Sequence, residues 1–157
     1  MTSKKYLCQV CKELLYTNNF EPYKIGKICK LCRNKRRAEL RMSSVDRYIR
    51  STVSRKKAYC KKYSIEFALT HKHLLSRWEG QNAKCFYTYE PLEILRYRTK
   101  EQKAYAPSLD RVEPNKGYID GNVVWCINKA NIVKSNLTLD ELKEWIPEWY
   151  GRIKNEF

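Results

Sequence analysis

The 157-residue chain has no apolar run of about 18 residues and no charged-then-apolar leader. Neither a transmembrane helix nor a signal peptide is therefore indicated, and the expectation is a protein inside a cell with no membrane partner. Histidine is nearly missing. The two present, His71 and His73, are two apart and would leave a helix on different sides, so they make poor co-ligands for one ion and are read as surface residues. Acidic residues are scarce, 17 against 32 Lys and Arg, which leaves a formal charge of +15. That excess points to a polyanion partner, most simply nucleic acid, with an anionic membrane or plain solubility as the bland alternatives. At 43% hydrophobic and 13% aromatic content, the chain can still build a core for one ordinary domain or two small ones.

Seven cysteines without a leader favour metal over disulfides. Four form two CxxC pairs, Cys8 with Cys11 and Cys29 with Cys32, separated by seventeen residues. This is the spacing of a four-thiolate zinc ribbon or treble clef, with a redox dithiol as the rival reading. Four thiolates leave no open coordination position, so one structural Zn²⁺ is expected. Leu14, Leu15, Phe20, Tyr23 and Ile25 are expected to supply the unit's apolar residues. Cys60, Cys85 and Cys126 lack CxxC partners and read as buried thiols.

Residues 33–63 contain neither Gly nor Pro and read as one or two helices with a partial apolar stripe of Leu40, Val45, Tyr48, Ile49, Val53 and Tyr59. Between residues 33 and 62, twelve Lys or Arg face only Glu39 and Asp46, a net of +10. The bland reading is a solvated spacer. The functional one is an arm on double-stranded DNA, with phosphate contacts from Arg33, Lys35, Arg36, Arg37, Arg41, Arg55, Lys56 and Lys57. Thr70 then reads as the N-cap of a helix through Trp78, residues 84–92 as a short strand and turn, and Arg96, Arg98, Lys100 and Lys103 as a basic loop. Thr138 and Glu141 form a capping box, and Pro147 should break the helix it opens.

Residues 107–136 organise the rest. An extended run is followed by a turn-rich excursion at 113–121, a β-branched strand and a helix from Asn128 to Lys134, a ββα unit. Asp110 at a strand end offers a hard anionic oxygen and Asn131 a neutral one, a donor set suited to Mg²⁺ or Mn²⁺ in phosphodiester hydrolysis. Asn122, at the loop's end, can brace the turn through its amide. Taken singly, each residue is more often turn chemistry than a ligand.

Together, SLDR (Ser108 to Arg111), KGY (Lys116 to Tyr118), GNVVW (Gly121 to Trp125) and Asn131 with Lys134 resemble the phage-type and homing HNH endonucleases. The resemblance implies a ββα-metal fold in which Asp110 and Asn131 bind the catalytic ion and Asn122 is the structural middle Asn. Two departures stand out. Many relatives have a His after the Asp as general base, where this chain has Arg111, which stays protonated but can clamp a phosphate or stabilise the leaving group. Water activation would then fall to the metal, to Tyr87, Tyr89, Tyr105 or Tyr118, or to a histidine. Some relatives also carry a second four-cysteine site. Here Thr88, Ile127 and Ala130 replace three of its ligands and only Cys85 remains, so a single zinc is expected.

The expected protein is thus small and α+β, with a zinc ribbon at residues 1–34, a basic DNA-contacting helical linker at 35–63, and an HNH-type nuclease domain with a C-terminal helix at 64–157. The leading function is a metal-dependent DNA endonuclease from a phage or its bacterial host. A catalytically inactive DNA-binding protein on the same scaffold is the alternative, and an RNA-directed zinc-ribbon protein a third.

Overall fold

The computed structural model describes residues 4–41, 43–94 and 99–156. Arg96 and Arg98 of the expected basic loop lie outside them, as do the side chains of Arg41 and Lys100. The protein is α+β and divides into two compact units, residues 1–43 and 44–157.

In the first unit, strands β1 (Lys5–Leu7) and β2 (Leu14–Tyr16) pair antiparallel. Two single-turn 3₁₀ helices, Thr17–Asn19 and Pro22–Lys24, lead on toward helix α1 (Lys30–Arg41). Its buried core is Cys8, Phe20 and Cys29, with Tyr6, Leu15 and Cys32 packed around them. Leu14, Tyr23 and Ile25, expected in that core, are exposed. For Leu14 the reason is strand alternation, which turns Leu15 inward and its neighbours out.

The second unit begins with helix α2 (Val45–Tyr63), capped by Ser44, whose side chain accepts from Arg47 N, and ended by Ser64 in the left-handed region. The segment expected as one linker at 35–63 is therefore two helices, one in each unit. Moreover α2 belongs to the core: Ile49, Thr52 and Cys60 are buried, although Tyr59, counted in the stripe, is exposed. Helix α3 (His71–Gly80) starts at a capping box in which Thr70 Oγ1 accepts from His73 N and His73 Nδ1 accepts from Thr70 N. Helix α4 (Lys100–Ala104) then leads to strand β3 (Pro107–Arg111).

Strand β3 pairs antiparallel with β4 (Val123–Ile127), Leu109 opposite Trp125 and Asp110 opposite Val124, and α5 (Asn128–Lys134) follows at once. Every residue of β4 is buried, so it reads as a continuous apolar run instead of an alternating one. Trp125 is the centre of this core. Its ring meets Trp78 edge-on at 5.3 Å between centroids, and its Nε1 donates to Leu74 O at 2.9 Å. Gln81 completes the sheet edge with its side chain: Oε1 accepts from Trp125 N at 2.8 Å and Nε2 donates to Trp125 O at 2.8 Å. Helices α6 (Leu139–Trp145) and α7 (Pro147–Glu156) close the chain. Thr138 and Glu141 make the capping box, Pro147 opens α7, and Ile153 is buried while Trp149 and Tyr150 pack against the core.

The loop between β3 and β4 is pinned from outside. Tyr118 bridges Phe67 in parallel, with Tyr118 N donating to Glu66 O at 2.9 Å and Ala68 N to Tyr118 O at 3.0 Å. This brings Gly117 so close that a Cβ there would lie 2.6 Å from Glu66 Cβ and 2.7 Å from Glu66 O. Gly117→Ala must push backbone aside, and a loss of about 1–3 kcal/mol in urea denaturation is expected.

Candidate functional site

The four cysteines of the first unit come together from two kinds of element. Cys8 and Cys11 lie in the turn between β1 and β2, Cys29 just before α1, and Cys32 in its first turn. Their sulfurs all lie within 4.8 Å of one another. Four thiolates about 2.3 Å from one ion would sit about 3.8 Å apart, so the donor set fits a tetrahedral metal after slight contraction. Backbone N–H groups already point at the sulfurs: Cys29 N donates to Cys8 Sγ and Cys32 N to Cys29 Sγ, both at 3.4 Å. The first of these bonds holds the Cys8 thiol down at about 6, while burial and the neighbouring thiols push Cys32 up to about 12. The cluster can hold a metal ion.

In the second unit, β3 and α5 present their polar side chains to each other. Ser108 and Asp110, two apart on β3, share a strand face. Asn131 and Lys134, three apart on α5, share a helix face. Asn131 Nδ2 donates to Ser108 Oγ at 2.6 Å, and Lys134 Nζ lies 3.4 Å from Asp110 Oδ2. Asp110, expected to offer an anionic oxygen to a metal, is thus held between partners. It is only 5% exposed, and Oδ2 also accepts the Tyr87 hydroxyl at 2.7 Å. Burial pushes its carboxyl up, and Lys134 and Tyr87 oppose that shift.

Lys134 is fully buried, and its ammonium also donates to Arg111 O at 2.7 Å. Sequence reasoning placed it in a motif without a role. Its one signal was the spacing from Asn131, since lysine is among the residues least often buried.

The remaining expected site residues divide. Asn122 is buried and braces the loop, its Oδ1 accepting from Glu113 N at 2.9 Å and its Nδ2 donating to Glu113 O at 3.2 Å and Gly117 O at 2.9 Å. Gly121 beside it has φ +77°, a conformation that favours glycine. Arg111 alternates away from Asp110 along β3; its Nη1 donates to Lys116 O at 3.1 Å and its guanidinium lies 5.3 Å from the Tyr118 ring centre. Two tyrosines considered for water activation are otherwise engaged. Tyr87 donates to Asp110 and burial pushes its hydroxyl strongly toward the neutral form, while Tyr118 is buried and accepts from Lys56 Nζ at 2.7 Å. His71 Nε2 lies 2.9 Å from Asp46 Oδ1, and His73 serves the α3 cap.

The basic residues expected on DNA fall in two groups, one in each unit. On α1, Lys35, Arg36 and Arg37 are exposed, whereas Arg33 is ion-paired with Glu21; Arg41 is the residue whose side chain is undescribed. On α2, Arg55 and Lys57 are exposed, Arg55 Nη2 donating to Thr52 Oγ1 at 3.0 Å, and Lys56 is half-buried against Tyr118. No protein-family model matches the sequence, and no curated protein matches it.

Removing either charge of the Asp110 and Lys134 pair strands the other in the core. Lys134→Met and Asp110→Asn are each expected to cost about 3–5 kcal/mol in urea denaturation. The double variant should recover at least half of the summed loss, whereas additive losses would show that the two charges are uncoupled.

Proposed function

We propose that the chain is a metal-dependent DNA endonuclease of the HNH type with a structural zinc in its first unit. The observation that carries the nuclease reading is the packing of α5 on β3, which sets Asp110 and Asn131 on facing surfaces within one turn of the Ser108 and Lys134 contacts. Asn131 uses its Nδ2 on Ser108, leaving its carbonyl oxygen for an ion. Both the Tyr87 and Lys134 contacts of Asp110 fall on Oδ2, leaving Oδ1 as the second donor. A divalent ion held there supplies charge to the scissile phosphate and the departing oxygen, and acidifies a water. Asn122 keeps the loop in register, Lys134 orients the carboxylate, and Arg111 at the strand end has no carboxylate partner among the described residues and is suited to a phosphate. The zinc assignment is supported by the all-sulfur donor set and by a unit in which, among the described residues, only Cys8, Phe20 and Cys29 are buried, too little to fold by apolar burial alone.

A second reading is favoured by one observation, the burial of Asp110 and its contacts with Lys134 and Tyr87. On it the protein binds DNA through the same scaffold and does not cut, Asp110 serving only as Lys134's counter-ion.

Supercoiled plasmid incubated with Mg²⁺ or Mn²⁺ separates the two. Nicking is expected from the wild type, with about 10²-fold or greater loss in Asp110→Asn and Asn131→Ala. Unchanged nicking in both variants would remove the site assignment, and salt-sensitive binding without cleavage under any divalent ion would establish the second reading. For the first unit, native mass spectrometry should find one zinc per chain. Chelation, or Cys8→Ser with Cys29→Ser, should abolish its ordered amide signals and leave those of residues 44–157 in place; an unchanged spectrum would exclude a structural ion.

A further inference from the structure

Tyr59 and Tyr63, four residues apart at the end of α2, are 48% and 53% exposed and take no part in the unit's core. Their ring centroids are 4.7 Å apart with the planes at 48°. Lysines flank both: Lys62 Nζ lies 4.9 Å from the Tyr63 ring centre and Lys56 Nζ 5.9 Å from that of Tyr59. Lys56 does not stop there. Its ammonium is also 4.6 Å from the Tyr118 ring centre, and Arg111 covers the same ring at 5.3 Å. A connected row therefore runs Tyr63, Tyr59, Lys56, Tyr118, Arg111, from the end of a basic helix to the neighbour of Asp110.

Aromatic faces alternating with cations match a polymer that carries a flat base and an anionic phosphate in every repeat. A duplex hides its base faces within the stack and offers only phosphates and groove edges, so exposed rings are of little use to it. Within the same unit, residues 44–62 carry seven Lys or Arg against Asp46, a net of +6 that supplies the complementary charge. We propose that this row binds an unpaired DNA strand, bases stacking on Tyr59 and Tyr63 and phosphates meeting Lys62, Lys56 and Arg111. The substrate class is then DNA with a single-stranded segment, not uniform duplex. The choice of DNA, and the site at which the row ends, rest on the endonuclease reading above; the stacking row itself does not.

The test measures binding without cleavage. The full chain is titrated with no Mg²⁺ or Mn²⁺ added against labelled oligo-dT of about 12 nucleotides, an abasic strand of the same length and a duplex of the same length, with anisotropy as the readout. Tyr59→Ala with Tyr63→Ala is expected to weaken oligo-dT binding about tenfold or more, and to change duplex and abasic binding less than about twofold. Tyr59→Phe with Tyr63→Phe should restore oligo-dT binding, because the ring and not the hydroxyl stacks. Both rings are exposed, so circular dichroism and the melting temperature should match wild type. Equal weakening toward all three ligands, or none toward oligo-dT, overturns the proposal, and oligo-U binding as tight as oligo-dT overturns the assignment to DNA. Failure of the nuclease reading shows separately, as ring-dependent strand binding in a protein that never nicks.

Discussion

A lysine ammonium and an aspartate carboxylate buried together on the inner faces of α5 and β3 impose more on the second unit than any other contact. Taking two such charges out of water is costly, and their attraction offsets that cost only if the geometry is held and the remaining hydrogen-bonding capacity is used. Lys134 meets the demand by donating to Arg111 O, and Asp110 by accepting from Tyr87. Tyr87 must in turn be fixed. Its ring stacks on Trp149 at 4.6 Å and its carbonyl accepts from Arg152, both on α7. One buried pair thus ties the ββα unit to the turn before it and to the C-terminal helix.

The same pair frames the question of activity. A carboxylate that already has a cation at 3.4 Å sits in a place built for positive charge, which suits an ion-binding role and a purely structural one alike. Asn131 Nδ2 donates to Ser108, whereas Asn122 directs both its Oδ1 and its Nδ2 to the loop. Arg111 lies on the other face of β3, with Tyr118 and Lys116 and not with Asp110.

The first unit obeys a different constraint. Among its described residues only Cys8, Phe20 and Cys29 are buried, little to set against the entropy of ordering the chain, and a metal ion held by the cysteine cluster would offset much of that cost. Its α1 exposes Lys35, Arg36 and Arg37. The charge that looked like one arm in the sequence is carried by two bodies.

By itself the sequence determined whatever depends on local chemistry. The CxxC spacing announced the sulfur cluster, Thr138 and Glu141 the start of α6, Pro147 the break after it, and the β-branched run the strand that leads into α5. Asn122's bracing was legible because it acts within nine residues. Only the tertiary structure decided that Lys134 is buried, that Asp110 is paired, that Gln81 completes the edge of β4, and that Tyr59 and Tyr63 lead by way of Lys56 to Arg111. Each of these joins residues far apart in the chain through side-chain direction, which periodicity reports for a single element but not for two elements meeting. A lysine's place at the end of a helix gives no sign of whether water or an aspartate will face it.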